Sequence, residues 1–277
     1  MATIKSTMKT DEINKYLKKY RSITFAAGTY NLTAPLILYS NTEIICKPNV
    51  IFKRNHNGRM IETYDDINIK KYNGVHDVIW PGGKLIANTN STNSNVVVLF
   101  HAKNITIKNM IIEGCRGLHS LEINASSNIS IIGCTFKDQS IKGTDSFREA
   151  LQIDFAYKDG LSISGAENNS PCYDATHCNT INIEDCSFIN CPNGIGTHTV
   201  FSEEKYHKNI TIKNCTFKDI TEYNIKVLGM KDVTITGCKG NIIVNKLKTA
   251  HSLTDGKIKL ADYRYNNNII IDNIQVV

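Results

Sequence analysis

The sequence predicts an all-β chain, a right-handed parallel β-helix closed at its N-terminal end by a short helix. Two observations carry that expectation. Five segments share one frame: Asn104-Ile-Thr-Ile-Lys-Asn-Met110, Asn128-Ile-Ser-Ile-Ile-Gly-Cys134, Thr180-Ile-Asn-Ile-Glu-Asp-Cys186, Asn209-Ile-Thr-Ile-Lys-Asn-Cys215 and Asp232-Val-Thr-Ile-Thr-Gly-Cys238. Within each, apolar and polar residues alternate, the two-residue period of a strand. A unit of this kind cannot bury its apolar side alone, but stacked on its neighbours it can, which makes a solenoid. No helical pattern recurs inside the unit, so leucine-rich and ankyrin-type arrays are disfavoured.

The unit starts are separated by 24, 52, 29 and 23 residues. The 52 reads either as two coils or as one coil with a long excursion. Asp66-Ile-Asn-Ile and Asn268-Ile-Ile-Ile read as weaker copies at the two ends. In this register Met110, Cys134, Cys186, Cys215 and Cys238 share one interior column, and Phe136, Phe188 and Phe217 another two residues on. Cysteine serves there as a small buried hydrophobe. The asparagine at each coil start is expected to bond its side chain to turn backbone. Trp80 reads as packing in an early coil.

The 10–22 segment reads as the capping helix, with Ile13, Tyr16, Leu17 and Tyr20 on one face and Thr10 or Asp11 at its start. Coils follow over 23–245, and 246–277 is assigned to a C-terminal cap, giving a single domain over 1–277. The chain has 41% hydrophobic and 21% charged residues, which excludes a disordered or coiled-coil chain. No apolar run approaches the roughly 18 residues that span a bilayer, so no membrane partner is expected. Met1 to Thr10 holds no apolar leader, so no secretory signal is legible there and reduced thiols are the default. The cysteine spacings do not match a zinc site, and neither a metal nor a cofactor is expected. A formal charge of +6 favours an acidic glycan as partner. Nucleic acid is not expected, because the lysines are spread without an aromatic-rich motif.

A second strand in each unit aligns as Leu121-Glu-Ile-Asn124, Leu151-Gln-Ile-Asp154, Ile195-Gly-Thr-His198 and Ile225-Lys-Val-Leu228. Its first and third residues point inward. The outward positions are then Glu122, Asn124, Gln152, Asp154, Gly196, His198 and Lys226, a candidate groove floor facing solvent. With the Phe25-Ala-Ala-Gly-Thr-Tyr30 segment and the repeated coils, this row resembles the pectin-active parallel β-helix proteins, above all the polygalacturonase-like glycoside hydrolases, over roughly residues 10–245. That family carries Asn-Thr-Asp, Asp-Asp, Gly-His-Gly and Arg-Ile-Lys on successive coils. Gln152-Ile-Asp154, Tyr173-Asp174, Gly196-Thr-His198 and Asn224-Ile-Lys226 follow in the same order. One acid of the second motif is missing, the histidine lacks its two glycines, and Asn224 replaces an arginine that helps hold the sugar carboxylate. The resemblance implies a polysaccharide-degrading hydrolase whose substrate need not be galacturonan.

Inverting hydrolysis of a glycosidic bond needs a carboxylic acid at the leaving oxygen and a carboxylate that activates water, about 6.5–9.5 Å apart. The expected pair is Asp174 as acid and Asp154 as base, roles exchangeable, with His198 orienting them. Asp174 also reads as a turn residue, in which case Glu149 and Asp154 form the pair. Lys226, Gln152, Glu122 and Asn124 are expected substrate contacts, with His207 at the rim and Tyr173 as a sugar platform. His119 is expected at an exposed edge. Two other readings stay open: a polysaccharide lyase on the same scaffold, and a non-catalytic glycan-binding module of a phage tail or cell surface. On the last, the chain is a virion-associated or extracellular protein, a homo-oligomer or part of a larger tail protein.

Overall fold

The computed structural model describes residues 1–63, 66–88, 93–140, 148–197, 199–200, 205–240, 242–244, 250–254, 257–261 and 267–272. They form a parallel β-helix with three strand faces. Face A has ten parallel strands, in the order Ala2–Ile4, Ser22–Phe25, Thr42–Cys46, His76–Pro81, Lys103–Lys108, Ser127–Ile132, Asn179–Glu184, His207–Lys213, Met230–Thr236 and Asn267–Asp272. Face B holds Gly28–Leu32, Val50–Arg54, Lys84–Ile86, Ile111–Glu113 and Thr135–Lys137. Face C holds Leu36–Leu38, Ile61–Thr63, Val97–Phe100, Leu121–Asn124 and Glu149–Asp154. The long strands Ser187–Gly196 and Thr216–Val227 bend from face B into face C, and Ile242–Val244 adds to face C beyond them.

The frame read from the sequence is the frame of face A. Ile105, Ile129, Ile181, Ile210, Val233 and Ile269 share one register position. The 52-residue interval is therefore one coil with excursions, because Ser127–Ile132 pairs directly with Asn179–Glu184. Asn268-Ile-Ile-Ile takes its place in the ladder, so coil structure on face A reaches past 245. Asp66-Ile-Asn-Ile does not. Its place is filled by His76–Pro81, where Val78 and Trp80 point inward at 0% and 1% exposure.

The interior columns follow from that register. Phe136 and Phe188 stack at 4.9 Å with planes 7° apart, and Phe188 and Phe217 at 5.0 Å and 10°. Met110, Cys134, Cys186, Cys215 and Cys238 are all buried. The cysteine thiols point to interior carbonyls: Cys186 to Ile131 O at 3.5 Å and Cys215 to Ile183 O at 3.7 Å. Trp80 stacks on Phe25 at 6.2 Å and donates to Cys46 Sγ at 3.3 Å.

The asparagines do something other than bind turn backbone. Asn104, Asn128, Thr180, Asn209 and Asp232 have φ of 53°, 53°, 58°, 54° and 56°, the left-handed region that Asn and Asp tolerate best among residues with a Cβ. The asparagine amides among them then pair along the rod. Asn128 Nδ2 donates to Asn104 Oδ1 at 2.8 Å, and Asn104 Nδ2 to Asp77 Oδ1 at 2.8 Å. The same device recurs at two other corners, where Asn214 donates to Asp185 and Asn190 to Asp138.

The helix spans Thr10–Lys19 and is capped by Lys9 without a side-chain bond. Thr10 is drawn instead into the first coil, where its Oγ1 accepts from Thr33 N at 2.9 Å. Ile13 and Leu17 are buried. Asn14 donates to Pro35 O at 2.8 Å and accepts from Ile37 N at 3.0 Å, satisfying groups of the Leu36–Leu38 strand. The helix thus covers a strand edge that would otherwise be open to pairing.

Candidate active site

Face C carries the row of second strands in the register expected from their alternation. Val98, Glu122, Gln152, Gly196 and Lys226 form one column across five coils. Phe100, Asn124 and Asp154 form the next. Both point away from the interior. His198, expected to continue the second column, lies outside the described residues.

The row does not face solvent. Glu122, Asn124 and Asp154 are 0% exposed, Gln152 2% and Lys226 3%. Over the Val98, Phe100 and Gln152 part of the row, the cover is the excursion between Asp154 and Asn179, which folds back over face C. Its neck is closed by Ala156 N to Thr176 O at 3.1 Å and Ala175 N to Ala156 O at 3.0 Å. Leu161, Ile163, Ala166 and Cys172 pack on Val98, Phe100 and Ala125. Its far side is tied to an earlier coil by Arg59 Nη2 to Ser162 O at 2.6 Å and by Cys172 N to Ile67 O at 3.0 Å. A signal for this cover stood in the sequence. Val96-Val-Val-Leu-Phe100 is apolar at every position, and such a strand is buried on both faces.

Beneath the cover, three carboxyl side chains lie close together. Asp154 accepts from Phe155 N at 2.8 Å, Gln152 Nε2 at 2.7 Å and Tyr157 OH at 3.0 Å. Burial pushes its carboxyl well above the usual range, against the pull of the Phe155 amide and the Tyr157 hydroxyl, and Glu122 and Glu149 add repulsion. Glu122 accepts from Asn124 Nδ2 at 2.8 Å and from the Asn95 side-chain amide. Burial raises its pKa to about 7, while Asn124, Arg59 and Arg148 favour its anion.

Glu149 is 0% exposed and forms a buried ion pair with Lys226, its carboxylate also 3.9 Å from His119 Nδ1. Lys226 stands two coils away, and Gly196 between them in the column has no side chain to block its path. His119 is not at an exposed edge. It is 2% exposed, its Nδ1 lies 2.6 Å from Glu149 O, and its amide is held by Asn95 Oδ1 at 3.0 Å.

The remaining candidates stand apart from this cluster. Asp174 uses both oxygens on backbone, accepting Lys71 N at 2.8 Å and Thr176 N at 3.0 Å, which is turn-holding work. Tyr173 braces the cover from within, donating to Leu161 O at 3.0 Å and accepting from Ile163 N at 2.9 Å. His207 lies not at a rim but under Phe155, with ring centroids 4.1 Å apart and 0% exposure. Its Nδ1 accepts from Cys178 N at 3.0 Å, and burial together with His177 lowers its pKa to about 3. It is neutral at any physiological pH.

A cavity of about 270 Å³ opens between the cover and face C. Asn95, His119 and Gln152 line its face C side, Arg59 and Arg148 contribute guanidinium groups, and Asp159 to Ser162 form the roof. Glu122 lies one side-chain layer below, in contact with Asn95 and next to Gln152 in the column. Sequence reasoning passed over Arg59, Arg148 and Asn95. They sit on turns and strand ends outside the aligned strands, so no repeat position marks them.

No family model matches the chain. In sequence it is similar to plasmin and fibronectin-binding protein A of Streptococcus pneumoniae (strain ATCC BAA-255 / R6), at 23% identity over 274 residues, 89% of this chain and 38% of that protein. The chain thus spans well under half the length of this relative. The crystal structure of PfbA, a surface adhesin of Streptococcus pneumoniae, superposes with a TM-score of 0.74 at 18% identity, covering 98% of this chain and 69% of that one. A second PfbA structure gives 0.71 at 18% identity, covering 96% and 72%. The likeness is one of fold. A family 28 exopolygalacturonase of Yersinia enterocolitica superposes at 0.43 with 11% identity over 99% of this chain and 71% of that one, too distant to bear on activity.

Proposed function

We propose that the chain is a glycan-active parallel β-helix protein, a glycoside hydrolase for an acidic, uronic-acid-containing polysaccharide, with Asp154 and Glu122 as its carboxyl pair. One observation carries the reading: two carboxyl groups on adjacent coils, both with raised proton affinity, each bonded by a residue, Asn95 or Gln152, that lines a cavity bordered by Arg59 and Arg148. Neighbouring strands lie about 4.8 Å apart and two residues span about 6.6 Å, so the two backbone positions are roughly 8 Å apart on the diagonal. An inverting pair needs its carboxyl groups about 6.5–9.5 Å apart, with room for a water.

The environments separate the roles. Asp154, whose proton affinity burial raises, serves as acid at the leaving oxygen. Glu122 ionises near neutrality under the influence of Arg59 and Arg148 and serves as base toward water. Glu122 thereby takes the place that sequence reasoning gave to Asp174. Glu149 is already neutralised by Lys226 and holds the row together. Turnover requires the Tyr157 and Gln152 side chains to turn away from Asp154, since they seal that carboxyl.

A second reading has its own support. The sealed carboxyls and the fold shared with PfbA, described as a surface adhesin, suit a module that binds glycan without cutting it. A panel of acidic polysaccharides, followed by reducing-end detection and ultraviolet absorbance, separates the readings. New reducing ends without absorbance are expected, with Asp154→Asn and Glu122→Gln each lowering kcat by about 10²–10⁴-fold. An absorbing unsaturated product makes the protein a lyase, and binding without turnover makes it the module. Wild-type rates in both variants would remove the pair from the mechanism.

A further inference from the structure

The cavity says more than that a glycan binds. We infer that it is a one-sugar subsite for the anionic terminal unit of a chain, so that the protein acts on chain ends rather than on internal bonds. This rests on the hydrolase reading for its reaction, but the subsite stands on its own geometry.

Size is the first ground. At about 270 Å³ the space falls just below the roughly 300–1,000 Å³ of sites that enclose a drug-sized ligand. It holds one sugar ring, not a run of them. Obstruction is the second. The excursion crosses face C from the coil of Asp154 to that of Ile67 and Lys71, fixed at its far side by the bonds to Ser162, Cys172 and Asp174. A polymer laid along the column would have to pass through packed Leu161, Ile163 and Cys172. A chain end needs to enter only at the open mouth.

The lining chemistry is the third. Arg59 and Arg148 present planar guanidinium groups, which match a carboxylate with two parallel hydrogen bonds. Asn95 and Gln152 offer amides to ring hydroxyls, and Asp159 offers an acceptor. Leu118 and Leu161 give apolar surface for the C–H face of a sugar ring. The combination fits a hexuronate unit. Arg59 is also an anchor of the roof, joined at once to Glu62 at 2.9 Å and to Ser162 O. A carboxylate arriving there competes with Glu62 and Ser162 O for the Arg59 guanidinium.

Two measurements on the full chain test this. Isothermal titration with free galacturonate and glucuronate, against glucose, reads the subsite without any turnover. At least one uronate is expected to bind and glucose to bind at least tenfold more weakly. Arg148→Gln should remove that preference while leaving the melting temperature within a few degrees. A timed digest of a hexameric oligouronide reads the mode of action, and monosaccharide is expected as the sole early product. Uronate binding unchanged in both Arg148→Gln and Arg59→Gln overturns the subsite, as does a mixed ladder of early products. Internal cleavage without uronate binding sinks the subsite and spares the hydrolase. Uronate binding without cleavage does the reverse, and neither binding nor cleavage ends both.

Discussion

Glu122 shows how a single side chain ties stability to function. Its pKa of about 7 in the fold stands against an ordinary 4.5, so between those values the folded chain holds a proton that the unfolded chain has released. Stability must then fall as pH rises through that window, and the gain is complete only below about 4.5. The shift amounts to about 3 kcal/mol at one buried group. Thermal melts from pH 4.5 to 8 should show this slope in the wild type, and Glu122→Gln should flatten it. An unchanged slope in the variant would assign the effect to another group. If the proposed hydrolase reading holds, activity is expected to have the opposite sign, rising as Glu122 ionises near pH 7.

At the scale of the coil element, the left-handed corner explains both the asparagines and the single exception. Asn104, Asn128, Asn209 and Asp232 suit a positive φ, but Thr180 occupies the same column at 58°. A β-branched residue there is strained by about 1–2 kcal/mol relative to its relaxed form. The ladder also breaks at that step, since Asn209 Nδ2 turns to Asn179 Oδ1 at 2.8 Å rather than to the residue in its own column. Thr180 is exposed, so no packing opposes a change. Thr180→Asn is expected to stabilise the protein by about 1 kcal/mol, read as a shift of the urea midpoint at constant slope. Thr180→Val, branched and without the hydroxyl, should give no gain.

For the molecule as a whole, stability passes from coil to coil, as in any stacked array. The pair Glu149–Lys226 reaches across this order, joining coils that are separated by the one bearing Gly196. Both partners are almost fully buried, at 0% and 3%. Removing one leaves the other's buried charge without this partner, so Lys226→Met and Glu149→Gln should each cost about 3–5 kcal/mol. The double substitution Glu149→Gln/Lys226→Met should cost less than either single change. A double-mutant cycle by chemical unfolding checks this, and strict additivity would show that the two side chains do not interact.

The sequence by itself determined the rod. Strand period, coil frame, the phenylalanine and cysteine columns and the pairing of Glu122 with Gln152 and Asn124 with Asp154 were all legible, because each follows from alternation and from like residues stacking on like. The site was legible only as a row of positions. Tertiary structure alone decided that the row is buried, that Asp174 spends its carboxylate on backbone amides, and that Arg59 and Arg148 border the cavity next to Asn95 and Gln152. The physical reason is distance along the chain. An excursion of 24 residues, 155–178, docks on coils far from it in sequence, and no local pattern encodes where it lands. Burial, more than the identity of any neighbour in sequence, sets the proton affinities of Glu122 and Asp154.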